Sequence, residues 1–215
     1  MGHLRHRPGT FCYLAVLLAS HLMVFHLLPE EVRMRVLRGI STNLSAMGWS
    51  APLRLVASAL VVDTSGSVLN IVLIVFFGVV VSLGRLEYRL GGARAFGIFG
   101  AAHVLASLLV LAVVAAAVRT GRYPSEVTRQ LDYGISFGAL GAIGAVTWLL
   151  PRWARPPWAA VALFYPLTAA DWYGWLPDYT TVGHVISATA GLGIAAIFVR
   201  PGRRLTGAPA RGLIW

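Results

Sequence analysis

Apolar residues run along most of this chain without the polar punctuation that a water-facing surface requires. Six stretches are long enough, or nearly so, to cross about 30 Å of hydrocarbon at about 1.5 Å per residue. They are Phe11–Leu28, Val68–Leu83, Ala95–Val118, Tyr133–Leu150, Pro157–Leu176 and Thr181–Val199. The second is short and requires tilt or local thinning of the bilayer. Between the first two lies the loop Pro29–Ser67, with two partly apolar pieces, Val32–Leu44 and Leu53–Val62. Neither is long enough to cross, so both are predicted to lie in the interface as short helices. The pattern predicts an all-α membrane protein: a six-transmembrane-helix bundle over residues 11–199 with an interfacial first loop. A cytoplasmic N-tail (residues 1–10) and a basic cytoplasmic C-tail (residues 200–215) flank it.

Composition agrees. Of 215 residues, 57% are hydrophobic and 12% charged, and the mean hydropathy is +0.72. A soluble domain needs roughly twice that charged fraction. The net charge of +10 comes from 18 Arg and no Lys against 8 acids. These arginines stand singly or in pairs between apolar runs, which is a topology signal and argues against nucleic acid as a partner. With the N-terminus inside, inner segments carry 11 Arg and one acid, and outer loops carry 7 Arg and seven acids. The imbalance predicts a multi-pass protein of the inner (plasma) membrane with both termini cytoplasmic. Trp172, Tyr173 and Trp175 then fall in the outer aromatic belt. A single cysteine, Cys12, excludes an internal disulfide and a thiolate metal cluster. The run after Arg5 and Arg7 is too long for a signal-peptide core and lacks a small-x-small site, so it is read as a retained span.

Polar residues inside spans are costly and therefore candidates for function. Asn70 lies seven residues past Asp63, Ser136 four past Asp132, and His184 six past Asp178. At about 1.5 Å per residue, all three sit roughly 6–10 Å below the outer surface. An amide, a hydroxyl and an imidazole thus reach one depth on three spans. A serine beside an imidazole is the minimum for nucleophilic catalysis, because a hydroxyl attacks poorly until a base takes its proton. Small residues support a close approach of the two helices: Gly134, Gly138, Gly141 and Gly144 on span four, and Ser187, Ala188 and Gly191 on span six. Glycine-rich faces are common in membrane bundles, and a serine also bonds its own helix carbonyl. Spacing alone therefore leaves a structural role open.

The order of these residues resembles the rhomboid family of intramembrane serine proteases, specifically the rhomboid-like proteins of actinobacteria, over roughly Leu53 to Val199. Gly134-Ile135-Ser136 with Gly141 and Gly144 is similar to the family's serine motif on span four. Gly183-His184 with Ser187 and Gly191 is similar to its histidine motif on span six. The stretch from Arg54 to Leu60 resembles the loop before span two, and Glu87-Tyr-Arg-Leu-Gly91 the E-x-x-L-G after it. The resemblance implies Ser136 as nucleophile and His184 as base, with Gly134 and the backbone beside Ser136 supporting the oxyanion. It implies Asn70, with Gly78 eight residues on, as an oxyanion donor, and it implies no metal or cofactor.

Two positions depart from the family's pattern. Phe137 replaces the glycine after the serine, and its ring is expected to crowd an approaching scissile carbonyl. Gly66 stands where active members carry a histidine, and about five extra residues separate Gly78 from Glu87. The resulting G-x-S-x-G string lacks the strand–turn–helix setting of an α/β-hydrolase. Two functions follow. One is a serine endopeptidase cleaving transmembrane or juxtamembrane bonds of membrane-protein substrates with a Ser-His dyad. The other is a non-catalytic rhomboid-fold protein binding membrane clients or partners. The remaining polar residues have plainer roles. His21 and His26, five apart, are expected on different helix faces and His103 in an interhelical hydrogen bond, so no metal site is expected. Glu87 is read as a local ion pair with Arg85 or Arg89, Asp132 and Asp178 as helix caps, and the tail arginines as a flank beside anionic lipid.

Overall fold

The computed structural model describes residues 7–62 and 67–198. Its long helices are α1 (Pro8–Leu27), α4 (Val68–Leu90), α5 (Gly92–Arg119) and α8 (Tyr179–Phe198), each long and apolar enough to cross a membrane. Two short helices of the first loop, α2 (Glu30–Ile40) and α3 (Ala51–Ser58), lie between α1 and α4. Among the described residues the remaining α-helices are α6 (Ser136–Leu149, its last turn 3-10) and α7 (Arg155–Phe164). A two-residue hairpin, β1 (Trp172–Tyr173) and β2 (Leu176–Pro177), precedes α8. The tail arginines, Asp63, Gly66 and the last residue of the sixth predicted span lie outside the described residues.

Two predicted spans change shape. Tyr133–Leu150 becomes helical only at Ser136. At about 1.5 Å per residue α6 is about 21 Å long, short of the hydrocarbon thickness. Pro157–Leu176 is not one helix: α7 stops at Phe164, a 3-10 stretch runs from Tyr165 to Ala169, and the hairpin follows. The break falls at Pro166, which has no N–H to continue the ladder. Among the described residues none but glycine has positive φ, so Gly174 (φ 69°) opens the two-residue hairpin loop as a type II′ turn. The turn leaves Trp172 and Trp175 exposed, with the Arg122 guanidinium 4.6 Å from the Trp175 ring centroid. The Tyr123 hydroxyl donates to the Pro177 carbonyl and anchors the hairpin. Burial first and the Asp178 charge second push that phenol up to about 12.

α6 is the innermost helix, with Phe137 to Leu140 and most of the residues to Val146 buried. Its glycines set the approach of three neighbours. A Cβ on Gly144 would run into the Ala188 backbone of α8, and one on Gly191 into the Gly141 backbone of α6. The Ser187 hydroxyl fills the gap left beside Gly141 and donates to the Phe137 carbonyl. Gly138 faces the Phe99 ring of α5 rather than α8, and Gly78 of α4 faces Ala139. Contacts this close are the main attraction between helices in lipid, where apolar burial gives little.

Two sequence expectations are corrected. Glu87 forms no ion pair with Arg85 or Arg89. Its buried carboxylate accepts from Gly9 N at 2.9 Å, Thr10 N at 2.8 Å and Thr10 Oγ1 at 2.6 Å. Because α1 opens with Pro8, these amides are free donors of its first turn, and Glu87 caps that helix from α4. His21 and His26 share a face, with ring centroids 5.3 Å apart. Residues Met23–Leu27 form a π turn, and wider winding brings residues five apart together. A second π stretch, Ile74–Leu83 in α4, takes up extra residues in the same way where the sequence showed an insertion.

Replacing Glu87 by Ala should destabilise the protein by about 2–3 kcal/mol, the range for hydrogen bonds to a charged group, with Glu87→Gln retaining part of it. Thermal unfolding in detergent measures the difference. In the same assay Gly144→Ala and Gly191→Ala should each cost about 1–3 kcal/mol through overpacking. Gly97→Ala and Gly193→Ala, which meet nothing within 4 Å, should be neutral or slightly stabilising.

Candidate active site

The loop ahead of α6 is shaped by the first loop. Thr42 N donates to the Asp132 carbonyl at 2.7 Å, Thr42 Oγ1 donates to Asp132 Oδ2 at 2.7 Å, and Asp132 N donates to Ser41 Oγ at 2.9 Å. Gly134 N then donates to the Ser58 carbonyl at the end of α3, at 3.0 Å. Gly134 has φ 132°, a backbone that L side chains rarely adopt. After this fixed kink the chain turns into α6 with Ser136 as its first helical residue. Asp132 therefore holds Thr42 and does not cap α6, correcting that part of the sequence reading. Asp178 does cap its helix: its carboxylate accepts from Thr181 N at 3.0 Å and Thr181 Oγ1 at 2.7 Å.

Asn70, Gly134, Ser136 and His184 line one cleft of about 330 Å³. Asn70 comes from α4, Ser136 from the start of α6 and His184 from the second turn of α8, so three helices contribute to this cleft. The Tyr165 hydroxyl lies 3.1 Å from Asn70 Oδ1 and donates to it. That contact occupies the amide oxygen and leaves the Nδ2 donors available. The first amides of α6 have no intrahelical acceptor and carry the positive end of its dipole. Asp171 and Asp178 add carboxylates to the cleft wall.

His184 Nε2 is buried and has no hydrogen-bond partner, so it is not bonded to Ser136 in this structure. Such contacts are often long in unliganded sites. The expected crowding by Phe137 does not occur. Its side chain is 3% exposed and turns into the core, where the ring occupies the space a Cβ on Gly183 would need. The ring meets the His184 imidazole edge-to-face, with centroids 5.6 Å apart. Among the described residues, no group of three or more His, Cys, Asp or Glu is placed to hold a metal.

Sequence reasoning missed two participants. Tyr165 lay inside a predicted span, and only the following proline hinted that the helix ends there and the chain redirects its side chains. Ser58 was seen as part of a loop motif, but its carbonyl bond to Gly134 is a backbone contact that no side-chain pattern encodes.

No curated protein and no solved structure matches this chain. A family profile described as rhomboid-like protein matches residues 2–204, nearly the whole sequence. On that match, the chain belongs to the rhomboid-like protein family.

Proposed function

We propose that this protein is an intramembrane serine endopeptidase that cleaves transmembrane or juxtamembrane peptide bonds of other membrane proteins. The observation that carries the reading is the placement of Ser136, His184 and Asn70 on one cleft at the start of α6. In this reading the chain crosses the inner (plasma) membrane six times with both termini cytoplasmic. α6 and α7 complete the six, and the cleft opens toward the outer side. The short α6 is tolerated because protein rather than lipid surrounds it. Irregular backbone at membrane depth, such as that before Ser136, is stable only in such a setting or against a water-filled cavity.

Ser136 Oγ attacks the scissile carbonyl while His184 Nε2 takes its proton, and the same imidazole returns a proton to the leaving amine. The charge that develops on the carbonyl oxygen is met by the free amides at the start of α6 and by Asn70 Nδ2. Tyr165 keeps the Asn70 amide turned so that its donors are free for this role. Water entering the cleft then hydrolyses the Ser136 acyl ester, with His184 again as base. No metal or cofactor takes part in these steps.

The direct test is labelling of the purified, detergent-solubilised protein with a fluorescent fluorophosphonate. Wild type should label, and Ser136→Ala and His184→Ala should not. Asn70→Ala should label on the order of 100-fold more slowly, the usual cost of one oxyanion donor. A folded wild type that fails to label beside a labelled active rhomboid would move the assignment to a client-binding protein. Labelling that survives in Ser136→Ala would remove the site assignment.

A further inference from the structure

Ser136 is not the only serine that the fold brings to an imidazole. On α5, His103 Nε2 lies 3.1 Å from Ser58 Oγ and 3.0 Å from the Leu55 carbonyl oxygen, both on α3. A carbonyl oxygen only accepts, so Nε2 carries the ring proton and shares it between the two oxygens. The Ser58 hydroxyl donates to the same Leu55 carbonyl at 3.2 Å. Ser58 is 1% exposed and His103 3%, so no peptide can reach this pair and a nucleophilic role is excluded.

What the pair does reach is the candidate site, from two sides. The carbonyl of Ser58 receives the Gly134 N–H at 3.0 Å, two residues ahead of Ser136. The ring of His103 lies 6.2 Å, centroid to centroid, from Phe137, and Phe137 is the ring that His184 meets edge-to-face. One buried imidazole therefore holds α3 by hydrogen bonds and backs the aromatic ring behind the candidate base. The Ser41 and Thr42 bonds to Asp132 form a separate staple on the same loop. Loss of His103 should therefore act locally, at Gly134.

We propose that His103 is a positioning residue. Through Ser58 it fixes Gly134 ahead of Ser136, and through Phe137 it sets the plane of His184. The consequence for turnover rests on the endopeptidase reading, whereas the fixing of Gly134 does not.

The experiment compares full-length wild type with His103→Ala and His103→Gln in detergent, by amide hydrogen exchange and by the rate of fluorophosphonate labelling. Glutamine keeps a side-chain donor for the Leu55 carbonyl. In His103→Ala, the Gly134 amide should exchange about 10-fold faster, as for one lost hydrogen bond, while the Thr42 amide keeps its wild-type rate. Labelling of Ser136 should slow by about 10-fold or more, since a misplacement of order 1 Å costs up to about 100-fold. His103→Gln should recover most of both. Unchanged exchange at Gly134, faster exchange with labelling at the wild-type rate, or a uniform acceleration that includes Thr42 would each overturn the proposal. If wild type itself does not label, the endopeptidase reading fails, and exchange at Gly134 alone decides whether His103 holds the loop.

Discussion

The structure is organised around an innermost helix that is too short to cross a bilayer by itself. α6 cannot span the hydrocarbon on its own, and the chain before it is not helical, so the helix needs protein packed around it and the preceding loop needs hydrogen-bond partners that lipid cannot supply. The glycine contacts answer the first need by letting α4 and α8 close on it at backbone distance and α5 seat its Phe99 ring and Ala102 methyl against it. The first loop answers the second by lending the Ser58 carbonyl and the Ser41 and Thr42 side chains. Remove either arrangement and irregular backbone would be left facing an apolar environment.

The same enclosure creates the chemical opportunity. A helix that starts inside protein presents unpaired amides to an interior cleft rather than to bulk solvent. Ser136 occupies its first position, and α8, drawn close by Gly191 against Gly141, carries His184 into the same space. Phe137 shows how packing accommodates a departure from the family's pattern. A large side chain follows the serine, a glycine precedes the histidine, and the ring of one fills the space left by the other. Gly183 matches the family's motif, and its missing side chain is what gives the Phe137 ring room away from the cleft.

Much of this was legible in the sequence, and the limits have physical causes. Spans predicted for α1, α4, α5 and α8 reflect continuous apolar runs, which a membrane demands and composition reveals. Ser136, His184 and Asn70 were singled out as candidates because polar groups at a common depth stand out against such runs. The π turn that unites His21 and His26 was not legible, because any inference from spacing assumes α winding. Glu87 was misassigned because its charged neighbours in sequence are obvious, whereas the amides it caps lie 77 and 78 residues away. The fifth predicted span ran too far because a hairpin rich in Trp and Tyr is as apolar as a helix.

The contacts that shape the cleft join parts of the chain made at very different times. Ser58 lies on α3, Gly134 and Ser136 at the start of α6, and His184 on α8. A chain growing from the ribosome can insert α1, α4 and α5 and still have no cleft, because α8, which supplies one wall and the imidazole, has not been made. The cleft therefore closes only once α8 has been made and has packed its Gly191 against Gly141 of α6.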